Sequence, residues 1–142
     1  MKIKCSVFYL FFACLAGAVL CISQASATIF ASGDSTPAYY AGDNDNNVFF
    51  ENILDGGTSV VVHELSNSSI GGNLDNFYNS LAGVSSIHYQ SSTTITASLL
   101  ADVDFFVTGL HDGGLDATES GVLSAYLAGG GSILFMGEYT YL

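Results

Sequence analysis

Short, unbroken apolar runs alternate along this chain with stretches whose apolar residues recur every three or four positions. Val60-Val61-Val62 and Phe105-Phe106-Val107 are continuous, as in strands buried on both faces of a parallel sheet. With their flanks they predict strands over Ser59 to Glu64 and Asp104 to Gly109, and similar runs predict strands over Thr28 to Ser32, Ser85 to Gln90 and Ser132 to Met136. The intervening stripes have helical spacing. Phe49, Phe50, Ile53 and Leu54 form one, stopped by Gly56-Gly57, and Leu74, Phe77, Tyr78 and Leu81 form another, closed by Gly83. Asp116 and Glu119 have the spacing of a capping box ahead of Val122, Leu123, Tyr126 and Leu127, with Gly129-Gly130-Gly131 as the stop. A short helix is expected around Ile95 to Leu100. Alternating strands and helices predict a parallel sheet, and right-handed crossovers make it a three-layer, doubly wound α/β domain with five mostly parallel strands. The expected strand orders are 3-2-1-4-5 and 2-1-3-4-5. The chain stops at Leu142, just after the fifth strand, so the domain is expected to be C-terminally incomplete, the front part of a longer protein.

The first 27 residues read differently. Lys2 and Lys4 precede an apolar run from Val7 to Ile22 and then Ala25-Ser26-Ala27, the layout of a secretory signal peptide with a small-residue cleavage site. Residues 1–27 are therefore a leader and 28–142 a single secreted or cell-surface domain, with no membrane span expected in the mature chain. Cys5, Cys14 and Cys21 all lie in the leader, which leaves the domain without a thiol, a disulfide or a cysteine ligand for a metal. Lys2 and Lys4 are also the only basic side chains among 142 residues, against thirteen Asp and Glu and a formal charge of −11. Nucleic-acid binding through basic side chains is excluded, as are Arg or Lys clamps on phosphates and carboxylates. A salty habitat, where ions screen self-repulsion, accounts for such acidity without any acidic site.

In open α/β sheets, ligands bind beyond the carboxyl ends of the strands. That edge collects Gly33-Asp34-Ser35, His63-Glu64, Gly109-Leu110-His111-Asp112 and Gly137-Glu138. Asp34, His111, Asp112 and Glu138 are the candidate ligand-binding residues, since carboxylates beside a histidine suit a divalent cation or acid-base work. His63 ends an apolar strand and His88 alternates within one, positions where packing or hydrogen bonding is the simpler role. Asp43 and Asp45 in Gly42-Asp43-Asn44-Asp45-Asn46-Asn47 are candidate calcium ligands. The EF-hand spacing fails, with Val48 in place of the loop glycine and Leu54 in place of the bidentate Glu. A turn and helix N-cap explain the same residues. No cofactor other than calcium is suggested, and the partner is an unspecified small molecule or surface component.

Two resemblances compete. Asp34, Asn47-Val48-Phe49-Phe50, Val103-Asp104-Phe105-Phe106-Val107 and the stretch Tyr126-Leu127-Ala128-Gly129-Gly130-Gly131-Ser132-Ile133-Leu134-Phe135-Met136-Gly137-Glu138 together resemble the class I glutamine amidotransferase-like superfamily, a flavodoxin-like fold. More narrowly, they resemble exported bacterial proteins of that fold that end in a PEP-CTERM surface-sorting tail, which here would lie beyond Leu142. The resemblance implies the fold. It does not carry glutaminase chemistry, because the cysteine nucleophile of that family sits in the turn after this strand, where Met136-Gly137-Glu138 offers no thiolate. Gly33-Asp34-Ser35 resembles instead the first block of GDSL or SGNH hydrolases, which implies Ser35 as an esterase nucleophile with Asp34 and His111 as alternative catalytic residues. That family's Gly-x-Asn-Asp block would fall on Gly109-Leu110-His111-Asp112, with His111 in place of the Asn. The Asp-x-x-His block would lie beyond Leu142. The expectation is a non-catalytic binding or structural module, with the esterase and a divalent-cation-binding domain as alternatives.

Overall fold

The computed structural model describes residues 27–63, 68–90, 93–110 and 114–137. Its strands are β1 (Ile29–Ser32), β2 (Ser59–His63), β3 (Ser85–Tyr89), β4 (Phe105–Leu110) and β5 (Ser132–Gly137), and its helices are α1 (Thr36–Tyr39), α2 (Asn44–Leu54), α3 (Ser68–Ser80) and α4 (Ala117–Ala128). The five strands form one sheet in the order β1-β5-β4-β2-β3, and every pairing is parallel. The α/β class expected from the sequence is the one found. The strand order is not, because both expected orders place β1 inside the sheet whereas it lies at an edge. The reason is burial. The strands with unbroken apolar runs, β2 and β4, take interior positions, whereas Ile29-Phe30-Ala31-Ser32 is short and has only one side to cover.

Connection geometry then assigns the layers. The chain moves toward the β3 edge through α1 and α2, and again through α3. It returns toward the β1 edge through residues 90–104 and then through α4. Right-handed crossovers place the first set of connections on one face and the second on the other, and the core is divided in the same way. On the first face Phe50 and Ile53 from α2 and Leu74, Phe77 and Tyr78 from α3 meet Val60, Val62, Phe105, Val107 and Leu134. On the second, Ile95, Leu100 and Leu123 meet Val61, Phe106 and Ile133.

The local signals explain most element ends. α4 has the full capping box: Glu119 N donates to Asp116 Oδ1 at 2.7 Å, and Asp116 N donates to Glu119 Oε2 at 3.2 Å. α2 ends where Asp55 and then Gly56 take left-handed backbone, φ 48° and 81°, so the turn begins one residue before the expected Gly56-Gly57 stop. Residues 95–100 form turns rather than the expected helix. Thr96 Oγ1 accepts from Leu99 N, and Ile95 N donates to Glu119 Oε1 at 3.1 Å. At the outer edge of β3, the Asn79 side chain accepts from Ser86 N (2.9 Å) and donates to Ser86 O (3.1 Å). This carboxamide occupies main-chain groups that another strand would otherwise pair with.

Candidate functional site

At the carboxyl end of β1, Ser32, Asp34 and Thr36 build a tight hydrogen-bonded turn. Asp34 Oδ1 accepts from both Thr36 N and Thr36 Oγ1 at 2.7 Å, and the Ser32 hydroxyl donates to Asp34 O at 2.7 Å. The turn feeds α1, a single helical turn with Pro37 at its start, where a missing N–H costs nothing. The Thr36 hydroxyl, followed by the Thr36 amide, holds the Asp34 carboxyl below its ordinary range. Ser35, the residue that the hydrolase resemblance makes a nucleophile, is 1% exposed, and its carbonyl accepts from Ala38 N and Tyr39 N. The end of β5 closes onto this turn. A Cβ on Gly137 would stand 2.6 Å from the Gly33 carbonyl oxygen, so glycine is what lets the two strand ends approach.

The chain reverses direction between β2 and β4, which is the switch point of this sheet. His63 stands there at the end of β2, buried, with its ring 5.9 Å from that of Phe106. Nδ1 lies 3.3 Å from Thr108 Oγ1 on β4 and Nε2 lies 2.6 Å from the Thr93 carbonyl oxygen. The carbonyl can only accept, so in the neutral ring Nε2 carries the proton and Nδ1 accepts from the hydroxyl. Nδ1 thus ties β2 to β4 and Nε2 holds the β3–β4 connection, in line with the structural role expected for His63. His88 is likewise packed. A Cβ on Gly71 would fall 2.3 Å from its Nε2, so a glycine on α3 makes room for the ring. At ordinary strand spacing β1 and β2, separated by β5 and β4, are about 14 Å apart, which keeps His63 away from Ser35.

Asp43 holds the N-cap position of α2 with extended backbone, but its side chain makes no capping bond. The turn is gripped instead by Asn47, whose Oδ1 accepts from Gly42 N (2.9 Å) and whose Nδ2 donates to Gly42 O (3.3 Å). Asp45 lies in the first turn of the helix, where the helix dipole favours a carboxylate. The turn and helix start expected here are present. Among the described residues no three His, Cys, Asp or Glu side chains converge as metal ligands. His111, Asp112 and Glu138 lie outside the described residues, as do Glu64 and residues 1–26 of the leader. No described helix is long and apolar enough to cross a membrane.

Several polar roles have only faint sequence signals. Asp104 precedes β4, and its Oδ2 accepts from Thr58 N (2.7 Å), Ser59 N (3.0 Å) and Thr58 Oγ1 (3.2 Å). The Thr58 amide leads the interactions that hold this carboxyl below its ordinary range. The cleft beside it, about 330 Å³ and lined by Gly57, Asp104, Gly131 and Ser132, opens at the amino ends of the strands, opposite to where this fold binds ligands. Thr93 and Thr108, the partners of His63, could be found only by knowing which strands are neighbours. The Asp34 turn does carry a local signal, since Asp-x-Thr is a capping pattern. Compared with known protein families, curated proteins and solved structures, the chain matches none.

Proposed function

We propose that this chain is an exported or surface-associated binding or structural module of the amidotransferase-like type, with no catalysis of its own. The observation that carries the reading is the state of the Gly33-Asp34-Ser35 turn. A serine nucleophile needs an open approach to its hydroxyl and a base within hydrogen-bond reach. Ser35 is buried, and the Asp34 carboxylate is engaged by Thr36. Of the described histidines, His63 has both ring nitrogens committed and His88 packs against α3 beside the far edge of the sheet. The turn after β5 carries no cysteine, since no cysteine follows Cys21. Export is supported by the leader sequence alone.

The test is turnover of short-chain p-nitrophenyl esters by the full chain and by Ser35→Ala. The reading expects both proteins to match the buffer rate. Hydrolysis that disappears in Ser35→Ala would establish the esterase in its place.

A further inference from the structure

Tyr39, Tyr40, Val48 and Phe49 are large apolar side chains between 40% and 59% exposed, all within one short stretch of α1 and α2. The stretch is held together. Asp43 N and Asn46 Nδ2 both donate to the Tyr40 carbonyl (3.1 and 3.2 Å), and the Tyr39 and Tyr40 rings meet edge to face at 4.9 Å. Asp45 lies three and four residues before Val48 and Phe49, so all three share one helix face, and Asp43, Asp45 and Glu51 are exposed there. Beside it runs a groove of about 430 Å³ between α2 and α3, lined in part by Gly42, Asn47, Glu51 and Asn76.

We infer that this surface docks a protein segment carrying Lys or Arg side chains beside apolar ones, an inference that rests on reading the chain as a binding module. Clustered exposed apolar residues mark interaction surfaces, and charge decides which occupant fits. No lysine or arginine occurs between Cys5 and Leu142, so within that stretch these carboxylates have no lysine or arginine to pair with. A second copy brings the same negative charge, and an anionic membrane or nucleic acid is repelled. A cation approaching the tyrosine rings gains both from the ring faces and from the flanking carboxylates.

The probe is a peptide of alternating lysine and leucine, titrated into the full chain at low salt and followed by backbone amide NMR. The largest shifts are expected within residues 39–51. A glutamate-leucine peptide should not bind, and a lysine-serine peptide should bind about tenfold more weakly, since the apolar contacts and their desolvation are lost. Tyr40→Ser with Phe49→Ser should weaken the lysine-leucine peptide by about tenfold. Asp43→Asn with Asp45→Asn and Glu51→Gln should remove most of its salt dependence. Shifts that map away from 39–51 would overturn the inference without help from any variant. So would equal binding by the double serine variant, or binding to phosphatidylcholine vesicles with none to the peptide. The two ideas fail separately: a silent peptide with an inert Ser35 leaves the non-catalytic reading intact, whereas Ser35-dependent turnover removes that reading whatever the peptide does.

Discussion

The two faces of the sheet are covered very differently. On the face under α1, α2 and α3, four aromatic rings interlock: Phe50 meets Phe77 and Tyr78, which touch each other, and Tyr78 meets Phe105. The opposite face has α4 and an irregular connection, and Leu123 is the buried residue of α4. One row of side chains across that second face makes the contrast plain. In register, Ile29, Ile133, Phe106, Val61 and Ile87 cross the five strands. The central three are buried, while Ile29 and Ile87 at the two edges are 59% and 56% exposed. The first face thus has the larger cluster of buried apolar residues, and on the second the row is buried only over its centre.

Polar bonds supplement the thinner cover. Glu119 joins two elements through its two oxygens, one on Asp116 N and one on Ile95 N. In a chain whose only Lys and Arg residues are Lys2 and Lys4, acids have few basic partners, and Asp34, Asp104, Asp116 and Glu119 all turn to backbone amides instead. These carboxylates serve the architecture. The same habit ties the Oδ1 of Asp34 to Thr36.

The comparison can be broken most forcefully from the first face. Phe50→Ala should destabilise the domain by about 3–5 kcal/mol, because its ring is fully buried among others that cannot collapse into the gap. Leu123→Ala on the second face should cost about 2–3 kcal/mol, since solvent lies closer and the helix can settle inward. Denaturant midpoints at constant slope measure both, and a larger loss for Leu123→Ala would invert the assignment of the dominant core.

Glu119→Ala comes next, at about 1–2 kcal/mol for one cap and one tertiary bond. Its signature is faster amide exchange at Ile95 together with the first turn of α4, and exchange confined to α4 would contradict the link between the two elements. Asp104 gives a pH test. Its carboxyl is depressed below 3.8 in the folded chain, so its stabilising effect is present above that value and is lost as pH falls through the folded value. Asp104→Ala should therefore be less stable than the parent at neutral pH, with the gap shrinking below about pH 3.8. A gap that persists unchanged in acid would show that the charge is not what matters. Least of all, Ile29→Ser and Ile87→Ser should each change stability by less than about 0.5 kcal/mol, as exposed substitutions do.

Much of this arrangement was legible in advance, for identifiable reasons. Val60 to Val62 and Phe105 to Val107 announced central strands because only strands covered on both faces can be apolar at every position. The Asp116 and Glu119 pair announced the start of α4 because both halves of a capping box lie within four residues. What escaped depended on distant partners. The place of β1 at the edge is set by competition among strands for the middle of the sheet. Residues 95–100 have an apolar spacing that looks helical yet form turns, and the four-residue α1 is too short to show periodicity. At the site, the position of Asp34 and Ser35 after β1 was readable, whereas the burial of Ser35 shows only in the folded chain.

The reading of this chain as a non-catalytic module meets its most direct test in covalent labelling of the full protein with a fluorophosphonate, followed by intact mass and peptide mapping. The account predicts no adduct, because Ser35 is buried. A stoichiometric adduct on Ser35 that forms in the native protein and vanishes on denaturation would contradict it.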